Sequence, residues 1–100
     1  MSVYLIIKSE TSLVDKKQFD DWYSHEHLKE AKKNFGAISA KRGWIANSDL
    51  HVAIYEFQSI KIAQKILKSK KLKLLIEKFD NKWNNKVNRT REIVDIIQEY

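Results

Sequence analysis

Phe19-Asp20-Asp21-Trp22-Tyr23-Ser24-His25-Glu26-His27 places three large aromatics, three carboxylates and two histidines within nine residues. The segment has helical spacing. At about 100° per residue, Phe19, Trp22, Tyr23, Glu26 and Glu30 fall on one side, with His27 at the edge of that stripe and His25 well away from it. An imidazole beside packed aromatics and a carboxylate suits general acid–base work, because its charge changes near neutral pH and its surroundings tune it easily. Two histidines at i and i+2 on a helix diverge by about 200°, so they cannot chelate one metal, and no metal site is expected. Glu26 and Glu30 need partners if buried, and the candidates are His27, Arg42 and the lysine-rich second helix. A bend near Leu28 would instead release Glu30 to solvent. Trp22, Trp44, Trp83, Tyr23 and Tyr55 read first as core aromatics, and some of them can wall an apolar pocket between sheet and helices.

The elements that position these residues follow from local signals. Val3 to Lys8 is a short β-rich apolar run, expected as a strand. Asp15 with Gln18 forms a capping box, and Val14 with Phe19 a hydrophobic staple, so a helix starts at Asp15 and runs to about Lys33. Asn34-Phe35-Gly36 stops it. Ala37 to Ala46 and His51 to Phe57 read as a hairpin around the turn Asn47-Ser48-Asp49. Ser59 caps a helix to about Leu67, and Ser69 a second helical segment to about Asn84, with apolar positions Leu72, Leu75, Ile76, Phe79, Trp83 and Val87 at helical spacing. Arg91 to Gln98 is the last expected strand. The order β-α-β-β-α-β predicts an α+β fold of the ferredoxin-like kind, with an antiparallel sheet and helices on one face, as a single domain over residues 1–100. The strands are apolar on both faces: Val3, Leu5 and Ile7 against Tyr4 and Ile6, then Ala53, Tyr55 and Phe57 against Val52 and Ile54. A sheet with one wet face should alternate. No spare element is left to cover the second face, so a homodimer with sheets packed face to face is expected.

Composition narrows the partners. The chain has 100 residues, no cysteine and no proline, which excludes disulfides and thiolate zinc sites. No apolar run approaches the roughly 18 residues of a membrane span, and Met1 to Lys8 lacks the basic and cleavage regions of a signal peptide, so a cytoplasmic protein is expected. The net charge of +6 is concentrated in residues 61–91, which carry eleven Lys/Arg against Glu77 and Asp80. Sixteen lysines to three arginines read as a solvated, lysine-biased face, since specific phosphate forks favour arginine. Nucleic acid is therefore disfavoured as a partner. An RNA-recognition module shares the element order, and Arg42-Gly43-Trp44 echoes the start of its RNP1 motif. That motif belongs on the third strand, however, and here it lies on the second.

Phe19 to Leu28, followed by Gly36-Ala37-Ile38-Ser39-Ala40-Lys41-Arg42, resembles the dimeric α+β barrel superfamily, and within it the EthD-like group and its uncharacterised relatives. The late Arg89-Thr90-Arg91 is similar as well. The resemblance extends through nearly the whole chain in element order, with Trp22, His27, Gly36 and Arg42 as its motif-like positions. It implies a homodimer with a small cleft per subunit between sheet and helices. Members of the superfamily include cofactor-independent monooxygenases, lactone isomerases, polyketide cyclases and haem-degrading enzymes. In several of them a histidine on or near the first helix handles a proton, and His27 is the position that carries over.

The expectation is a small-molecule-binding dimer that needs no cofactor and acts on an aromatic or carbonyl-bearing compound. His27 would be the acid or base, Tyr23 or Tyr55 a hydrogen-bond donor to a developing enolate oxygen, and Arg42 the holder of an anionic substituent. Trp22, Trp44, Tyr55 and Trp83 would line the substrate site. Haem with His27 as axial ligand is a lesser variant. A non-catalytic ligand-binding or structural dimer is the other class, favoured if His27 proves sealed from any cavity.

Overall fold

The computed structural model describes residues 2–100, so Met1, where the run read for a leader begins, lies outside them. The chain runs β1 (Val3–Glu10), α1 (Lys16–Trp22), a π-helical turn (Tyr23–His27), α2 (Leu28–Phe35), β2 (Ser39–Trp44), β3 (Leu50–Phe57), α3 (Ile60–Leu67), α4 (Lys70–Lys82) and β4 (Asn88–Asp95). The four strands form one antiparallel sheet in the order β2-β3-β1-β4.

Strand parity decides what faces the helices. On β1, Val3, Leu5, Ile7 and Ser9 are buried, while Tyr4, Ile6 and Lys8 point to the other face and are half-buried. On β3, His51, Ala53, Tyr55 and Phe57 are buried, and Val52 and Ile54 are half-buried. The inward residues pack against Phe19, Tyr23, Ala31, Phe35, Leu75 and Phe79. The opposite face presents a groove lined by Tyr4, Ile6, Ile54, Val94, Ile96 and Lys41, which is the two-sided apolar pattern expected from the sequence.

Caps set the helix ends. Asp15 accepts the Gln18 N–H at 2.9 Å, and Ser59 and Ser69 accept the N–H groups of Ile62 and Leu72. Several boundaries differ from expectation, and β1 runs on to Glu10 where Lys8 was expected to end it. The second helical segment ends as a helix at Lys82, and Trp83 is its C-cap. β2 is shorter than residues 37–46, because the Ala37 N–H is used by the Lys32 carbonyl to close α2. β4 begins at Asn88 and ends at Asp95, because its register is dictated by β1: Asn88 faces Glu10 and Asp95 faces Val3. The isoleucines beyond it extend past the end of the partner strand. Among the described residues no helix is long and apolar enough to cross a membrane.

Gly36 ends α2 at φ 63°, ψ 32°, in the left-handed region, and donates back to the carbonyls of Lys32 and Lys33. A Cβ there would meet nothing within 4 Å, so a substitution costs backbone strain alone. Gly36→Ala should lower the unfolding free energy by about 1 kcal/mol, read as a lower urea midpoint with unchanged slope. An unchanged midpoint would show that this turn relaxes to another conformation.

Candidate functional site

The first helix is not α-helical throughout. Between Tyr23 and His27 it widens to a π turn, closed by the Leu28 N–H donating to the Tyr23 carbonyl. On a continuous α-helix, residues five apart point about 140° away from each other. The i to i+5 register of the π turn instead brings them onto one face. Trp22 and His27 are five apart, and their rings stack with centroids 4.5 Å apart and 17° between planes. Tyr23 meets the same imidazole edge-on at 4.8 Å, and Phe79 of α4 closes it at 5.5 Å. His27 is 6% exposed. His25 is exposed, and its Nδ1 lies 2.7 Å from the Asp21 carbonyl. The same turn moves the carboxylates outward. Glu26 is exposed and Glu30 half-buried, and both pair with Lys78 of α4, at 3.3 and 2.8 Å. The lysine-rich helix is thus their partner.

His27 lines a cavity of about 10 Å³ with Tyr23, Tyr55, Arg89, Arg91 and an apolar wall of Ile7, Phe35, Leu72, Leu75 and Ile76. That volume suits about one water molecule, so an organic ligand requires the α4 wall to move. His27 Nδ1 and Tyr55 Oη are buried without a hydrogen-bond partner. Burial, assisted by the charges of Arg89 and Lys78 and opposed by Glu26, holds the His27 pKa down at about 4, so the ring is neutral at pH 7. Burial raises the Tyr55 phenol well above its usual value, and the neighbouring Tyr23 phenol raises it further. Burial also raises Tyr23, while Tyr55, Arg89, Arg42 and Arg91 pull the other way. Both tyrosines are therefore protonated donors near neutrality.

A second polar cluster lies beside the first. Arg42 donates to the Asp20 carboxylate at 2.8 Å, and Trp44 Nε1 donates to the same oxygen at 2.9 Å. These two hydrogen bonds, Arg42's first, hold the Asp20 pKa below its usual value. His51 is fully buried, with Nε2 3.3 Å from Arg42 and its ring 4.3 Å from Tyr23. Burial, then Arg42, lowers its pKa to about 4, against the pull of Asp20.

The sequence-expected residues thus divide in space. His27, Tyr23 and Tyr55 line one cavity, with Trp22 stacked on the imidazole. Arg42 and Trp44 face the helices from β2 but are engaged by Asp20, outside the cavity lining. Trp83 packs on Phe19 and Trp22 and lines a different groove with Val14, Gln18 and Lys86. Sequence reasoning missed His51 and the cavity role of Arg89 and Arg91. Their signal was strand parity, since Arg89 and Arg91 are two apart on β4 and face Ser9 and Ile7 of β1. That signal is usable only once the strand pairing is known.

No protein-family model matches the chain, and no curated protein sequence matches it. Solved structures do. An ethyl tert-butyl ether D (EthD) family protein from Bacillus halodurans C-125 superposes with a TM-score of 0.75 at 22% identity, covering 97% of this chain and 100% of that one. SnoaB, a cofactor-independent oxygenase from Streptomyces nogalater, in a mutant form, gives 0.70 at 9% identity over 98% and 95% of the two chains. A dimeric ferredoxin-like protein from an uncultured marine organism gives 0.63 at 14% identity over 100% and 98%. What is shared is the fold. It is an α+β ferredoxin-like fold.

The two buried histidines make stability depend on pH. In the unfolded chain an imidazole titrates near 6.5, whereas His27 and His51 are held at about 4. The unfolded state then binds the extra protons, so the stability these groups confer is complete above pH 6.5 and is lost as pH falls toward 4. The urea midpoint should fall between pH 7 and pH 4.5, and His27→Phe should make the fall shallower. An equal slope in the variant would show that His27 titrates alike in both states.

Proposed function

We propose that the protein is a homodimeric small-molecule-binding protein working as a cofactor-independent proton-transfer enzyme, of the isomerase, cyclase or monooxygenase type, on an aromatic or carbonyl-bearing compound. One observation carries this reading: His27 is a buried, neutral imidazole with an unpartnered Nδ1, lining a cavity shared with two protonated tyrosines. In the role assigned to it, His27 accepts a proton from a carbon next to a carbonyl, or from a phenol. Tyr55, or Tyr23, donates a hydrogen bond to the enolate or phenolate oxygen that forms. Return of the proton from the imidazolium to a different carbon completes an isomerisation. Trp22 fixes the imidazole plane, so the orientation is set before the ligand arrives. The low pKa of His27 makes it a weak base in the closed form, and a negative charge gained by the ligand would raise it toward the working pH. Arg42, Trp44 and Trp83 then act from behind the site or outside it.

The experiment is a pair of variants assayed on whichever carbonyl or phenolic compound proves to be turned over. His27→Ala should lower turnover by about 10²–10⁴-fold with the fold intact, and His25→Ala should leave it unchanged. Equal activity in the two variants would remove His27 from the chemistry and favour a non-catalytic ligand-binding dimer.

The homodimer is proposed through the open sheet face. Tyr4, Ile6, Ile54, Val94 and Ile96 line an apolar groove there that no element among the described residues covers. The similar marine protein is itself described as dimeric. Light scattering should report about twice 11.9 kDa. Ile54→Glu, on the open face opposite Ile6, should halve that mass. A monomeric wild type would contradict the assembly.

A further inference from the structure

The cavity beside His27 contains two cations that proton transfer alone does not call for. Strand register puts Arg89 opposite Ser9 and Arg91 opposite Ile7, and both line the cavity. Arg89 is accounted for. Its guanidinium donates to Asp80 at 2.7 Å and lies 3.7 Å from the Phe79 ring centroid. Arg91 is not. It makes no ion pair and no side-chain hydrogen bond among the described residues, and its Nε is buried without a partner. The next acid on the strand, Glu92, has the opposite parity and pairs with Lys8 at 3.8 Å. Asp80 is already engaged by Arg89. Arg91 is half-buried and shares the charge of Asp80 with Arg89, so its own charge is only partly offset.

We propose that Arg91 is the anion-recognition residue of this cavity, and that the ligand is an organic acid: a carboxylate on a small apolar or aromatic body. The guanidinium fork matches a carboxylate with two parallel hydrogen bonds, and Arg89 adds a second positive charge beside it. Ile7, Phe35, Leu72, Leu75 and Ile76 supply the apolar wall for the body of the molecule. Burial lowers the pKa of both arginines, Arg89's further through the charge of Arg91, and a bound anion relieves that strain. Leu75 lines both this cavity and a groove of about 240 Å³ that includes Glu30, Asn34, Lys71 and Lys78, and in this proposal the ligand enters from that groove as the α4 wall shifts. Arg42, the arginine expected from sequence to hold an anion, is occupied by Asp20. The assignment of substrate class rests on the proton-transfer reading above, but anion binding at Arg91 does not.

The test uses benzoate, its neutral isostere benzamide, and inorganic phosphate on the full chain, read by titration of the arginine Nε–H resonances. Benzoate should shift Arg91 and bind at least about tenfold more tightly than either benzamide or phosphate. Arg91→Gln should lose that preference, and His27→Ala should keep it. Benzamide or phosphate binding as well as benzoate would overturn the proposal. So would benzoate shifting other groups while Arg91 stays still, or benzoate binding weaker than about 10 mM. The wild-type comparison stands even if Arg91→Gln fails to fold. Benzoate bound at Arg91 with a His27→Ala variant that keeps turnover would sink the proton-transfer reading alone. His27-dependent turnover without an anion preference would sink this proposal alone.

Discussion

One backbone hydrogen bond, from the Leu28 N–H to the Tyr23 carbonyl, organises the site. By lengthening the turn from four residues to five it changes the phase of everything that follows on the helix. Trp22 and His27 become stacked neighbours instead of diverging groups. The same phase change carries Glu26 and Glu30 out to Lys78, so the site gains an imidazole and loses two carboxylates. The position of His27 in the core, its neutrality and its access to the cavity all follow. A π turn gives up regular α-helical bonding, and here that is offset by aromatic packing: Trp22, Tyr23 and Phe79 surround the ring on three sides.

The electrostatics are consistent with that arrangement. The helix-facing side of the sheet carries a buried polar row: Trp44 pairs with His51 across β2 and β3, His51 with Ser9 across β3 and β1, and Ser9 with Arg89 across β1 and β4. Acids from the helices meet both ends: Asp20 accepts from Trp44 and from Arg42 beside it, and Asp80 pairs with Arg89. His51 within the row and His27 on the helix packed over it are both neutral at pH 7. With Arg89 and Lys78 acting on it, the His27 ring is a poor place to gain a proton unless a negative charge comes with it. The proposed binding of an acid and the proposed transfer of a proton would therefore complement each other in one cavity.

The framework was readable from sequence because it rests on local rules. The caps at Asp15, Ser59 and Ser69, the glycine stop at Gly36 and the apolar parity of β1 and β3 each depend on a few neighbouring residues. The placement of His27 beside the aromatics was readable as well, but for an incomplete reason. A regular 100° wheel places it at the stripe edge, and the π turn that brings it fully inside has no signature in residue types. The wheel likewise put Glu26 and Glu30 with the aromatics. Arg89 and Arg91 looked like the tail of a solvated basic run, because nine of the eleven cations in that segment are lysines. Only the β1–β4 register separates the two arginines from those lysines. The register is non-local, as is the meeting of Asp20 with Arg42 and Trp44, and short-range patterns carry no trace of it.

The account stands on the state of one imidazole. A pH titration of the His27 ring resonances by NMR tests it directly. The ring should remain neutral on lowering the pH through the usual imidazole range and protonate only near 4. A His27 midpoint near 6.5, the value of a freely solvated imidazole, would contradict the account, because the ring would then be neither buried nor held by the π turn.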